Sequence, residues 1–91
     1  MQIIRIVADT QLAYNVPITI YGARLVSTVA VPTIADIYDA VGGSVDTTKR
    51  IALATTATVL TDDAKIPACG VKFAVGCYIE FTAGEVFLTV D

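Results

Sequence analysis

The chain has 91 residues, a length that fits one domain spanning residues 1–91, and no change of composition divides it. Nine Asp and Glu residues outnumber six scattered Lys and Arg residues, so the formal net charge is −3. This balance disfavours a nucleic-acid partner and an anionic membrane surface. The absence of His removes the commonest general base and the commonest metal ligand.

The apolar content is high for so small a chain. Apolar residues make up 55% of the sequence, and the mean hydropathy is +0.70. A chain of this size buries only about 60–65% of its surface on folding. We therefore expect part of the apolar surface to meet a partner, although a compact sandwich rich in Ala, Val and Thr would give a similar hydropathy.

Short stretches with strand-like alternation follow one another in the first half of the chain. Residues 2–7 form an apolar strand pattern with Arg5 set into it. Residues 18–31 are long enough for one bent strand or two short strands, with Gly22 as the expected bulge, and are too interrupted to span a membrane. Residues 33–40 could form a short helix, but their β-branched residues favour a strand at 33–39. The first ten residues lack the pattern of a secretory signal.

Turn residues punctuate the second half of the chain. Residues 40–48 form a polar, glycine-containing stretch that predicts a hairpin-like connection to a strand at 50–55. Asp62 and Asp63 are adjacent carboxylates typical of a turn, and glycines bracket a short strand at 71–75.

The last two strand patterns have the clearest alternation. Residues 77–82 and residues 85–90 each alternate with period two, and the Ala-Gly pair at 83–84 separates them. An even loop brings their faces into agreement, so we expect a hairpin in which Phe81 opposes Val86.

Together these patterns predict an all-β fold. Seven or eight short strands with regular punctuation favour a small antiparallel β-sandwich, for which a jelly-roll arrangement is one candidate.

The sequence offers no convincing catalytic, cofactor or metal site. Asp36 and Asp39 are three residues apart and would point to opposite faces of a strand. Cys69 and Cys77 supply two soft ligands where a structural zinc ion needs four. These cysteines are either neighbours across a turn or two small buried side chains, and the second arrangement is the more common one. We therefore predict a non-enzymatic protein without a cofactor.

Aromatic residues on the last strands are the candidate contact residues. Tyr78 and Phe87 project away from the apolar set of their strands, and Glu80 shares the face of Tyr78. Tyr38 is a further candidate beside Asp36. Alternation alone leaves open the opposite assignment, in which this face is the core, but its glutamates favour a wet or contacting face.

Three segments carry a resemblance to a known group of proteins. They are TIYGARLVSTVA at 19–30, ADIYDAVGGSVDTTKRIAL at 35–53 and KIPACGVKFAVGCYIEFTAGEVFLTVD at 65–91. Their order resembles that of small β-sandwich virion proteins of tailed bacteriophages, of the capsid decoration or cement type. The shared pattern is one of strands and turns and includes no catalytic signature.

The resemblance implies a structural role in the virion. The expected partners are further copies of the chain, in a homo-oligomer such as a trimer, and the major capsid protein. The expected location is the capsid surface, after synthesis in the host cytoplasm, and a place at the neck or tail is the nearest alternative. A carbohydrate- or receptor-binding module is the alternative from a different functional class.

Overall fold

Nine β-strands carry the fold in the computed structural model, which describes residues 1–43 and 46–90. They are β1 (Gln2–Ile6), β2 (Thr10–Tyr14), β3 (Ile18–Val26), β4 (Thr33–Tyr38), β5 (Lys49–Thr55), β6 (Thr61–Asp63), β7 (Val71–Phe73), β8 (Gly76–Phe81) and β9 (Glu85–Val90). A short 3-10 turn, Asp46–Thr48, precedes β5. Within the described residues, no helix has the length and apolar character needed to cross a membrane.

The strands form two antiparallel sheets. Sheet A has the order β1-β9-β3-β6, with β7 also paired to β3, and sheet B has the order β2-β8-β4-β5. Because β9 occupies one edge of β3, both β6 and β7 lie along the other edge, β6 beside Arg24–Val26 and β7 beside Ile18–Ile20. Together β6 and β7 form one edge of sheet A, and residues 64–70 connect them.

The pairing is that of a long hairpin rolled up on itself. β4 pairs with β5, β3 with β6 and β7, β2 with β8, and β1 with β9, so each pair encloses the previous one along the chain. Rolling this nested hairpin gives two layers of four strand positions, which is the jelly-roll arrangement. The predicted antiparallel sandwich is confirmed, and its form is a jelly roll.

The core lies between the two sheets. Along β9, Val86, Leu88 and Val90 are buried while the residues between them are partly exposed, and β5 alternates in the same way with Ile51 and Leu53 inward. Each fully buried aliphatic side chain of this kind contributes about 1.5–3 kcal/mol relative to an exposed one. The apolar alternation seen in the sequence therefore fixes which face of each strand points inward.

The predicted C-terminal hairpin is wrong. β8 lies between β2 and β4 in sheet B, whereas β9 lies between β1 and β3 in sheet A, so residues 82–84 cross from one sheet to the other. Phe81 opposes Ala35, and Val86 opposes Leu25. Period-two alternation is the same whether consecutive strands pair directly or pack across a core, which is why the pattern could not separate the two arrangements.

The predicted turn at Asp62 and Asp63 is also wrong. Both residues lie in β6, where Asp63 pairs with Arg24 and Asp62 accepts a hydrogen bond from the N–H of Ala54 at 2.9 Å. The Asp62 contact joins the edge of sheet A to the edge of sheet B. The strand β2 was not predicted, because its sequence TQLAY lacks the run of branched residues that marks the others.

Two local predictions are confirmed. The register of β3 against β9 shifts between Ile20 and Gly22, which is the expected bulge. β4 and β5 pair as a hairpin around the loop at 40–48. Ser44 and Val45 of that loop lie outside the described residues.

Candidate interaction surfaces

The structure divides the four predicted contact residues between two surfaces. Tyr38 on β4 lies with Tyr78 and Glu80 of β8 on the outer face of sheet B. Phe87 lies on the outer face of sheet A, the opposite side of the sandwich. The two faces have different neighbours and different charges, so they are treated separately.

The sheet B patch consists of Gln11, Asp36, Tyr38, Lys49, Tyr78 and Glu80. Tyr38 and Tyr78 are directly opposed in the strand register, and their ring centroids are 6.4 Å apart. The ammonium of Lys49 lies 5.9 Å from the centre of the Tyr38 ring, within the range of a cation–π contact. Because Tyr38 is only 3% exposed, it supports its neighbours, while Lys49 is exposed and Tyr78 and Glu80 are half-buried.

The polar groups of the sheet B patch form one connected set. The Tyr38 hydroxyl donates to Asp36 Oδ2 at 3.4 Å, and Lys49 Nζ is 3.6 Å from the same oxygen. Burial raises the pKa of the Tyr38 phenol, and the charges of Asp36 and Glu80 raise it further. Burial likewise raises the pKa of Tyr78. Both phenols are therefore neutral hydrogen-bond donors at physiological pH.

Asp39 has a structural task beside this patch. Its carboxylate accepts hydrogen bonds from the backbone N–H groups of Ala74, Val75 and Gly76 at 3.1, 2.8 and 3.2 Å. Burial alone would raise its pKa, but these donors and the nearby Arg50 outweigh that effect and hold the pKa below its ordinary value. Asp39 is thus ionised at neutral pH and fixes the turn between β7 and β8.

Four outward side chains lie side by side across the sheet A face. Across β1, β9, β3 and β6, the outward residues in register are Arg5, Phe87, Arg24 and Asp63. Arg24 Nε lies 2.6 Å from Asp63 Oδ1, and Arg24 also reaches Asp63 Oδ2 at 3.1 Å. Arg5 is paired with Glu85. Phe87 is therefore flanked on both sides by arginines that are themselves paired with carboxylates.

An open groove runs beside Phe87 on the sheet A face. It has a volume of about 590 Å³, and its apolar lining includes Ile3, Val26 and Phe87. Gly22 lies on its floor, where a Cβ would be 3.1 Å from Thr89 Oγ1. Ile3 is 72% exposed. The groove therefore presents backbone at Gly22 and exposed apolar side chains beside it.

A third apolar region, the loop end, consists of Val29, Val31, Val59 and Leu60. All four side chains are exposed. They belong to the crossings from β3 to β4 and from β5 to β6, which leave the sandwich at the same end. The Ser27 N–H donates to the Leu60 carbonyl at 2.7 Å, which holds the two crossings together.

The two cysteines are unpaired and differ in environment. Cys77 is buried in the core, where burial and the charge of Asp39 raise its pKa to about 12. Cys69 is exposed, so the prediction that both are buried holds only for Cys77. No set of three His, Cys, Asp or Glu side chains comes together as a metal site in the described part of the chain.

The sequence predicted Phe87 as a contact residue but did not predict the residues that surround it. The residues it missed are Ile3, Gly22, Arg24, Asp63 and Thr89. The available signal was Arg5 within an otherwise apolar strand, together with the bulge at Gly22. The lateral neighbours of Phe87 could not be read from the sequence, because they depend on strand order rather than on spacing along the chain.

Comparison with known proteins assigns the chain to no family. No family model matches the chain, and no curated protein matches it at a significant level.

Proposed function

We propose that this chain is a non-enzymatic structural protein of a tailed-phage virion, most specifically a capsid decoration protein that self-associates and docks on the shell. The resemblance of three sequence segments to such proteins is one support. The jelly roll is another, since viral capsid domains use this fold, although lectin domains use it too.

The observation that carries the proposal is the groove on the sheet A face. Exposed apolar residues that lie together within a polar rim are a feature of protein contact surfaces. Here Phe87 lies between two ion pairs, and the bare Gly22 and the exposed Ile3 line the same groove in the next row along the strands. An apolar centre with a charged rim is the usual composition of a protein interface.

The loop end supplies the second surface that a decoration protein needs. A subunit that contacts its own copies and also a shell requires two separate contact regions. The exposed Val59 and Leu60 belong to the crossing from β5 to β6, at one end of the sandwich. We assign this end to the shell.

Binding of the purified protein to capsids that lack it tests this assignment. Saturable co-sedimentation is the expected result for the native chain. A Val59→Asp variant should bind at least about tenfold more weakly, because an interface would then bury an unpaired carboxylate. Val16→Asp is the matched control, since Val16 is similarly exposed at the opposite end of the sandwich. Failure of the native chain to bind would count against the proposal.

A carbohydrate-binding module is the second candidate. The sheet B patch favours it, because the half-buried Tyr78 lies beside two carboxylates, Asp36 and Glu80, on a flat sheet face. A glycan array discriminates between the two candidates. Specific glycan binding that Tyr78→Ala abolishes, together with no capsid binding, would favour the module.

A further inference from the structure

We propose that the sheet A face binds a second copy of the same face, around a two-fold axis that runs parallel to the strands between β9 and β3. This inference deepens the proposed function, on which it rests, by naming the partner and the geometry of self-association.

The outward row reads Arg5, Phe87, Arg24 and Asp63 from one edge of the sheet to the other. A two-fold rotation about an axis parallel to the strands reverses this left-to-right order and keeps each residue at its height along the strands. At one edge, Arg5 of the first copy then faces Asp63 of the second copy. At the other edge, Asp63 of the first copy faces Arg5 of the second copy. Phe87 faces Arg24 of the second copy.

The charges select this axis over the other simple choice. A two-fold axis perpendicular to the strands would lay each strand on its own copy. With the axis at the height of this row, Arg24 would face Arg24 and Asp63 would face Asp63, which places like charges together. Contacts between like charges disfavour an interface, whereas the parallel axis opposes unlike charges at both edges.

The ion pairs already present extend into a network under the parallel axis. Glu85 pairs with Arg5 within one copy, and Asp63 pairs with Arg24 within the other. A contact between Arg5 of one copy and Asp63 of the other links these two ion pairs into a row of alternating positive and negative charges. The hydrogen bond from Arg24 lowers the pKa of Asp63, so this carboxylate stays charged at neutral pH. Arg24 stacking on Phe87 of the second copy would add a cation–π contact.

The shape of the face fits the same arrangement. Thr89 and Gly22 are opposed in the register of β9 and β3, on either side of the proposed axis. The rotation places Thr89 of one copy over Gly22 of the other, which carries no side chain of its own. Ile3, which is 72% exposed, would be covered at the edge.

Two charge-reversal variants test the proposal in solution. Sedimentation equilibrium over about 1 µM to 1 mM should show that the native chain is a dimer with a measurable Kd. Arg5→Glu and Asp63→Lys should each raise that Kd by at least about tenfold, because like charges then meet at both edges. Mixing the two variants in equal amounts should restore association. In the mixed pair the carboxylate introduced at position 5 faces the ammonium introduced at position 63, and the native Asp63 of one variant faces the native Arg5 of the other.

The mixing step separates the interface from effects within one chain. Each variant loses one intramolecular ion pair, and solvent-exposed pairs of this kind contribute little to folding stability. Mixing cannot repair a change of that kind. A matched pair of isoleucines gives a second readout: Ile3→Glu on sheet A should weaken association, and Ile34→Glu on the outer face of sheet B should not.

Three outcomes would overturn the proposal: a native chain that stays monomeric, variants that associate like the native chain, or a mixture that fails to recover association. These readouts do not involve the virion. A chain that binds capsids but does not dimerise would refute this interface and leave the proposed docking on the shell standing. A chain that dimerises as described but binds no capsid would refute the proposed function alone.

Discussion

The side chain of Gln11 accepts a hydrogen bond from the backbone N–H of Gly42 at 2.7 Å, which ties β2 to the loop of the β4–β5 hairpin. The amide nitrogen of the same side chain donates to the carbonyls of Ala13, Ala40 and Cys77 at 2.7, 2.9 and 3.2 Å. One side chain therefore holds an edge strand, the central strand β8 and the start of the loop together.

Replacing Gln11 with alanine should destabilise the fold by about 1–3 kcal/mol, because several partly buried backbone groups lose their partner. Urea unfolding followed by circular dichroism measures this. Gln2→Ala is the control, since Gln2 is exposed on β1, and it should change stability by no more than about 0.5 kcal/mol. Equal effects of the two changes would show that the Gln11 contacts do not stabilise the chain.

Gly84 should be intolerant of a side chain. Its φ is +91°, and a Cβ would lie 2.4 Å from the carbonyl oxygen of Val26. Gly84→Ala should therefore cost at least about 2 kcal/mol in the free energy of unfolding. Gly43→Ala is the matched control, because a Cβ there meets no atom within 4 Å. A Gly84→Ala protein as stable as the control would contradict the described crossing from β8 to β9.

Asp39 should make stability depend on acid pH. Its pKa is lower in the folded chain than in the unfolded one, so the carboxylate stabilises the fold above its ordinary pKa of about 3.9. That contribution is lost as the pH falls through the folded-state value. Asp39→Asn should cost about 1–3 kcal/mol at pH 7, and the difference from the native chain should shrink below about pH 4.

Chemical denaturation between pH 2 and pH 7 measures the Asp39 effect, over a range set by the ordinary pKa of about 3.9. Asp46→Asn, at an exposed position in the 3-10 turn, is the control and should show no comparable gap. A difference between Asp39→Asn and the native chain that stays constant with pH would rule out the proposed titration.

The two thiols should differ in reactivity. Cys69 is exposed, whereas Cys77 is buried and its pKa is raised to about 12, so little thiolate forms at pH 8. In the native chain a thiol-specific disulfide reagent should label one cysteine quickly, and the second only after denaturation. Cys69→Ser should abolish the fast reaction. Rapid labelling of Cys77 in the native chain would contradict its placement in the core.

Local sequence patterns were sufficient to predict the fold class. Alternation in β5, β8 and β9 correctly separated the inward residues from the outward ones, and Gly22 marked a real bulge. These features depend on neighbours in the chain, which the sequence displays directly.

Strand partners could not be predicted in the same way. The consecutive strands β8 and β9 share a short connection, yet they pair in different sheets because Gly84 turns the chain against β3. The same limit applies to the candidate surfaces. Tyr78 and Phe87 were expected on one face and lie on opposite faces, and the neighbours of Phe87 come from strands distant in the sequence.

Quantitative mass spectrometry of purified virions tests the proposed function most directly. The measurement compares the copy number of this chain with that of the major capsid protein in virions of the tailed phage that is proposed to encode it. Comparable copy numbers are the expected result for a decoration protein. A few copies per particle would contradict a lattice role and favour the neck or tail, and complete absence would contradict the virion role itself.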